Sequence, residues 1–514
     1  MMNKVNMMNI RFFKSYRKVS VAACVALTLA CGCFRAIAAD DAGLEGREIT
    51  LDEAILLARS QSVDAAVALN ELKSAYWTYR SYRAELLPEI NLTATVPSYQ
   101  KKYSTYQLED GSYTFIRDNY VQMRGELSVN QNIWLTGGTL SLNTSLDYLS
   151  MLSGDKYERF MSVPVALTLN QPIFGVNTIK WDRKIEPVRY EEARANFLSA
   201  TENVAMNTIS YFFNLIMARE NESIARQNLA NAVKLYEVAV AKREMGQISQ
   251  NDLLQLELNR LNAESALTDA QSNLKSNMFQ LRSYLGLEED VNLLPVVPQQ
   301  IPDILLGYDD VLDKALSHNA FSKNIRRRQL EADYEVARAK GNLREINLFA
   351  QVGFTGTSDR IKGAYDPLKD NQIVEIGFKI PIVDWGRRRG NVKVAESNRE
   401  VVQNRLRKET QDFNQDIFIL VERFNNQRRQ VDIATVADTI AAKRYNTNVQ
   451  TFMIGKISTL DLNDSQISKD ESRQNYINEL YKYWHYYYQL RSLTLWDFER
   501  NSGIDGDIDR LVRM

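Results

Sequence analysis

The sequence predicts a mainly helical fold joined to a membrane β-barrel, each protomer an internal duplication of helix, strands and long helical hairpin. Three observations predict it. Two passages recur in the same order: Glu89-Ile90-Asn91-Leu92 returns as Glu345-Ile346-Asn347-Leu348, and the frame Gly-x-Ile-Ser-x-x-Asp-Leu at Gly246 returns at Gly455. Proline, which breaks helix interiors, is absent between Pro187 and Pro295 and again after Pro381. Stretches of alternating apolar and polar residues precede each of these windows.

The chain opens with Lys4, Arg11, Lys14, Arg17 and Lys18, then an apolar run from Val19 to Phe34 and the small-x-small site Ala36-Ile37-Ala38. That order reads as a secretory signal over 1–38, its apolar part too short for an anchor. No later stretch approaches the roughly 20 apolar residues of a spanning helix, so membrane residence would require β-strands. Cys24, Cys31 and Cys33 all lie in the signal, leaving the mature chain without disulfides or thiolate metal sites. Lipidation at Cys31 or Cys33 is the open alternative, although Thr28 stands where a branched apolar residue is wanted.

Strands are expected where apolar residues alternate: Ile90, Leu92, Ala94 and Val96; Val121, Met123, Leu127 and Val129; Leu348, Ala350, Val352 and Phe354; Val374, Ile376, Phe378, Ile380 and Ile382. Each run approximates the 9–11 residues that cross a bilayer at a tilt, with one apolar and one polar face. Phe378 is expected to face lipid and Gly377 the lumen. The halves are unequal: 157 positions separate Glu89 from Gly246, but 110 separate Glu345 from Gly455. The surplus carries a further alternation at Leu140, Leu142 and Leu146, then Val163, Val165, Leu167 and Leu169. It reads as an extra hairpin near 139–171, either in the barrel or outside it.

Helical spacing runs from about Asn177 to Met245 through Ile209, Phe212, Phe213 and Ile216, and from Asp252 to Leu285 through Leu254, Leu258 and Leu261. Steps of three and four make a coiled-coil seam. The second copy passes through Phe413, Ile417, Leu420 and Phe424. A helix of about 65 residues would be roughly 100 Å long, too long for a compact domain. The expected organisation is a signal over 1–38, a first repeat over 39–300 and a second over 301–514. The first holds strands at about 90–173 and a helical hairpin at about 177–286. The second holds strands at about 347–383, a hairpin at about 388–498 and a short polar tail. Leu294 to Pro302 links them.

With 63 basic against 64 acidic residues, no global field points to nucleic acid or an acidic substrate. His318 and His485, the only histidines, sit in helical patterns and suggest packing rather than catalysis. Gly455-Lys456 fails as a phosphate loop because Gln450 and Ile457 occupy its defining positions. Arg387-Arg388-Arg389 reads as a solvated helix start in preference to a ligand site. Tyr481 to Tyr488, with Trp484 and Trp496, reads as packing.

Further short motifs stand at the joints: Leu51-Asp52-Glu53-Ala54, Leu86-Leu87-Pro88, Gln171-Pro172-Ile173-Phe174, and Ile380-Pro381-Ile382 through Asp384-Trp385-Gly386. With the two Gly turns, in this order and duplicated, the chain resembles the TolC family of outer-membrane efflux proteins over essentially all of its mature length. The resemblance implies a homotrimer with one β-barrel in the outer membrane and one α-barrel in the periplasm. It implies contact with outer-membrane lipid, a periplasmic adaptor and an inner-membrane pump, and no cofactor. It places Asp252, Asp461 and Asp464 at the periplasmic gate, and Gly246, Ile248, Ser249, Gly455, Ile457 and Ser458 in tip turns that meet the adaptor.

Asp252 with Ser249, and Asp461 with Ser458, also match a helix-capping box, which could be their whole role. Asp464 lies one turn beyond Asp461 and is not explained by capping. In the family's best-known gate a basic residue stands two positions after the second Gly. Here that residue is Ile457, and the nearest cation is Lys456. The function expected is a passive export conduit without catalytic residues, powered by a partner. A free-standing porin and a secreted coiled-coil scaffold are the rival readings; the long hairpins oppose the first and the amphipathic strands the second.

Overall fold

The computed structural model of the 514-residue chain describes residues 46–153, 156–246, 248–288, 291–298, 300–343, 345–379, 383–453, 456–457, 459–504 and 508–513. At 116, 345, 371–379, 452, 453, 459, 509 and 513 the backbone alone is described. The expected signal with Cys24, Cys31 and Cys33 therefore lies outside the described residues, as do Gly455, Ser458, Ile380 and Ile382, and the side chain of Phe378. The chain forms two compact units. The described part of the first is 46–48 with 291–294, where the Arg47 N–H donates to the Asn292 carbonyl at 2.7 Å. The second holds the elements below.

It begins with helices α1 (Leu51–Gln61) and α2 (Val63–Glu85). The Thr50 hydroxyl caps α1 at the Glu53 N–H, and the buried Ser62 caps α2 at the Ala65 N–H. Six strands follow in sheet order as in sequence: β1 (Glu89–Gln107), β2 (Tyr113–Ile133), β3 (Gly138–Met151), β4 (Glu158–Pro172), then β5 (Glu345–Ser358) and β6 (Lys369–Lys379). Every neighbouring pair is antiparallel.

The extra hairpin is thus part of the sheet, seated between β2 and β5. Directly opposite residues share a face, so the register defines rows across the wall. Ile90, Val129, Leu142, Leu167 and Val352 form one such row, and Glu89, Asn130, Ser141, Thr168 and Gln351 the next. The first face stays exposed although apolar: Leu92 is 76%, Leu167 46% and Val352 52% accessible. The second carries charge, with Arg124 3.1 Å from Glu126 and 3.9 Å from Asp147. A sheet apolar outside and polar inside fits lipid on one side and water on the other.

Strand lengths correct the expectation. β1 and β2 have 19 and 21 residues, about twice the expected run. Their outer parts alternate through Tyr99, Lys101, Tyr103 and Thr105, residues that favour strands without reading as an apolar stripe. Ser104 bonds Asp118, Tyr120 Oη donates to Gln100 at 2.7 Å, and Gly111, with φ +83°, closes the turn.

Two helical hairpins carry the rest. α3 (Thr178–Glu244) and α4 (Gln250–Leu285) have 67 and 36 residues, and α7 (Arg387–Met453) and α8 (Thr459–Thr494) have 67 and 36 again. At 1.5 Å per residue the longer pair measures about 100 Å. α3 runs through Pro187, the proline expected to lie at the margin of the helical window, with Ile185 and Val188 buried on either side. Between the hairpins lie α5 (Tyr308–His318) and α6 (Ala320–Gly341), and α9 (Ile508–Arg513) comes last. Among the described residues, no helix is long and apolar enough to cross a membrane.

The core lies where the hairpins pack. Ile209, Phe212 and Leu215 of α3, Ile417 and Phe424 of α7, and Ile477, Leu480, Tyr483 and Tyr487 of α8 are almost fully buried. The tyrosines are packing groups, as expected: Tyr483 Oη donates to the Pro302 carbonyl at 2.7 Å and Tyr487 Oη to Asp497 at 3.0 Å. The buried Glu202 is held by Arg59 at 2.5 Å and Arg491 at 3.0 Å.

Candidate functional site

The hairpin tips are built from local rules. At the end of α3 the Met245 N–H reaches the Ala241 carbonyl at 3.2 Å, and Gly246, with φ +70°, turns the chain in a conformation cheap only for glycine. Ser249 then starts α4. Its hydroxyl accepts from the Asp252 N–H at 3.1 Å, and Asp252 Oδ2 accepts from the Ser249 N–H at 3.1 Å, a complete capping box. The Ser249 hydroxyl, and then its N–H, hold the Asp252 carboxyl below the usual carboxylate range. Arg243 braces the turn by donating to the Ile248 carbonyl at 3.3 Å. Capping thus accounts for the contacts of Asp252.

At the second tip the Lys456 N–H donates to the Thr451 carbonyl at 3.1 Å, a closure that spends a free helix-end carbonyl. Ile457 sits half-buried in a bend, and Asp461 lies exposed in the first turn of α8. Asp464 is exposed as well and pairs with Arg444 of α7 at 2.6 Å. Sequence reasoning missed Arg444. The signal was there: in an antiparallel hairpin, residues equidistant from the turn face each other, and Arg444 and Asp464 lie ten positions either side of Ile454. The second tip therefore has a basic partner for its acid, on the helix rather than at position 457.

The two tips share a groove. A concavity of about 1370 Å³ runs between α3, α4 and α8, with Ile248 and Asp252 from the first tip and Leu460 and Asn463 from the second among its lining residues. Most of its wall is neutral amide and alanine. Asn214, Asn221 and Asn228 repeat every seven residues along α3, one turn from Ala218, Ala225 and Ala232. Asn221 accepts from Gln474 of α8 at 2.9 Å, and Asn228 bonds Gln466. A seven-residue amide repeat on a coiled-coil seam was visible in the sequence and marks the α3–α8 contact. Chemically such a wall offers mostly neutral donors and acceptors, with Lys242, Asp252 and Asp269 as its charged groups.

The strand–helix joint disposes of the arginine cluster. Asp384 accepts from the Gly386 and Arg388 N–H groups at 3.0 and 3.2 Å and so starts α7. Arg388 itself donates to the Asn342 carbonyl at the end of α6, at 2.7 Å. Trp385 is 95% exposed beside it, and Trp134 carries Arg183 over its ring at 4.0 Å. Exposed tryptophans at the base of a one-sided apolar sheet suit the aromatic belt of a membrane interface. His318 Nδ1 lies 3.0 Å from the Lys314 carbonyl, and burial lowers the pKa of His485; among the described residues no group of acids and histidines is placed to hold a metal ion.

Comparison with known proteins adds to this geometry. The sequence matches the family described as Outer membrane efflux protein over residues 54–287 and 316–494. No curated protein matches it. The fold is similar to that of the Campylobacter jejuni CmeC outer membrane channel, at 16% identity over 90% of this chain and 88% of that one, with a TM-score of 0.64. It is also similar to the outer membrane protein VceC of Vibrio cholerae, at 14% identity over 88% and 97% with a TM-score of 0.58. The open-state Neisseria gonorrhoeae MtrE outer membrane channel matches at 15% identity over 86% and 88%, again with a TM-score of 0.58.

Proposed function

Because the chain belongs to the outer membrane efflux protein family, we propose that three copies of it form the outer-membrane tunnel of a tripartite efflux or secretion system. The protein is an outer-membrane efflux channel with a periplasmic helical extension, and it conducts rather than catalyses. The trimer, the gate and the powered partners are the proposed part. One observation carries them: a single sheet with an apolar outer face and two open edges, joined to helical hairpins about 100 Å long. Open edges are not tolerated in lipid, so copies must complete one another. The helices reach far into the periplasm, where an adaptor would meet the tip turns at Gly246, Ile248 and Ser249 and at Gly455, Ile457 and Ser458. Energy comes from an inner-membrane pump.

In this reading Asp461 and Asp464 line the periplasmic aperture as stacked acidic rings, Asp252 caps the neighbouring helix, and Arg444 restrains Asp464 within its own chain. Three copies of each acid around a narrow axis attract cations. Planar-bilayer recordings of wild type and the Asp461→Asn/Asp464→Asn double variant test this, with asymmetric salt. Cation preference and block by multivalent cations from the periplasmic side should both fall, and Arg444→Ala should strengthen the block by freeing Asp464. Unchanged selectivity and block in the double variant would reduce both acids to capping and surface.

A further inference from the structure

We propose that the hairpin β3–β4 is a permanent part of the membrane wall, so that three copies close an eighteen-stranded barrel as wide as the helical tube beneath it. The inference rests on the trimeric reading above and adds to it the strand number, the pore width and the edges that meet.

The helices and strands of one copy keep the same lateral order. α2 stacks on α3 through Tyr79 and Tyr190, ring centroids 5.0 Å apart. α3 meets α6 through Glu192 and Arg327 at 2.6 Å, and α6 meets α7 through Arg328 and Glu409 at 2.6 Å. These four helices are the ones that enter or leave the sheet: α2 feeds β1, β4 feeds α3, α6 feeds β5 and β6 feeds α7. Four helices side by side, at 8–10 Å each, span an arc of about 32–40 Å. Strands 4.8 Å apart and tilted by about 40° take about 6.3 Å of arc each, so six span about 38 Å and four only about 25 Å. At that tilt the six-stranded arc matches that of the helices below it.

The hairpin has the chemistry of a wall. Leu142 and Leu167 continue the apolar row from Val129 to Val352, and Ser141 and Thr168 continue the polar row from Asn130 to Gln351. Asp147 of β3 lies on the polar face, accepts from Gln122 of β2 at 3.4 Å and faces Arg124. The base is tied down as well. Asn177, which caps α3, also donates to the Trp134 and Leu135 carbonyls at 2.9 and 3.2 Å, fixing the turn that leads into β3.

Within one copy β1 and β6 are the open edges. The occupant of each is a second copy: β6 of one chain pairs with β1 of the next, which sets α7 beside the neighbour's α2. The ring then has a backbone radius of about 18 Å, and about 12 Å after a layer of side chains. Strand numbers of this order leave an aqueous channel. The exit accordingly passes any hydrated solute that the helical end admits, and selection by size falls to the helical end.

Single cysteines at Leu142, Leu167, Ser141 and Thr168 can be spin-labelled in the mature trimer in lipid vesicles, because removal of the expected signal over 1–38 takes Cys24, Cys31 and Cys33 with it. Oxygen accessibility should exceed that of an aqueous nickel chelate at 142 and 167, with the order reversed at 141 and 168. End-on electron cryomicroscopy of the wild-type trimer should show a strand ring of about 18 Å radius. A ring of about 12 Å, or aqueous accessibility at all four sites in an intact trimer, would place the hairpin outside the wall and overturn the proposal. A monomer by native mass would instead overturn the trimeric reading beneath it.

Discussion

At the scale of single residues, the charges divide into those that hold the fold and those that face water. Glu202 is 1% exposed and serves two guanidinium groups, from α1 and α8. Removing it as Glu202→Ala takes one of two carboxylates from the buried Arg491, which keeps Asp497 at 2.7 Å, and should cost about 1–3 kcal/mol. A fall in the thermal midpoint of the helical region, with the sheet assembled, is the expected result. Asp252 shows the opposite regime. Its carboxyl is held low, so the capping box contributes fully above the ordinary carboxylate range and is lost as pH falls through the depressed value. The protection of the amides in the first turn of α4, relative to their intrinsic exchange rate at each pH, should therefore fall on acidification. In Ser249→Ala that turn should be weaker by about 1 kcal/mol at neutral pH, and its pH dependence should shrink. The capping box was legible because all its atoms lie within four residues. The Arg444–Asp464 pair was not, because its partners lie on different helices.

At the scale of elements, the wall is defined by alternation. Leu142→Arg should cost up to about 2–4 kcal/mol, the value for a cation near the bilayer midplane, whereas Ser141→Arg points to water and should be tolerated. Trimer yield in membranes measures the difference, and equal yields would mean the two faces are misassigned. The helices were the most legible elements, since proline placement and three-four spacing mark long stretches. The helix expected from about Asn177 does run through Pro187, because buried neighbours on both sides and a helix of 67 residues outweigh one lost bond. One feature escaped such reasoning. The outer halves of β1 and β2 were missed because tyrosine, lysine and threonine carry their alternation.

At the scale of the molecule, one copy is incomplete. Its outward face exposes Ile90, Leu92, Leu142, Leu167 and Val352, and among the described residues both edges of its sheet lack partners. Extraction should accordingly need detergent, and native mass in mild detergent should give a trimer. A stable monomer there would count decisively against closure by copies. The helical part exposes apolar stripes too: Leu254, Leu258 and Leu261 on α4, and Ile433, Val436 and Ile440 on α7. Their three-four spacing is that of a coiled-coil seam awaiting its second strand.

By itself the sequence determined what depends on neighbours along the chain: the duplication, the long helices, the capping box of the first tip and the alternating faces. Each follows from a period or a spacing of a few residues. Only the tertiary structure decided where the extra hairpin goes, since alternation is the same inside a barrel wall or outside it and only the pairing with β2 and β5 distinguishes them. It also decided that Asp464 meets Arg444, that Arg388 closes α6, and that Asn221 and Asn228 join α3 to α8. Those contacts join residues far apart in sequence, and their energy exists only once the helices have packed.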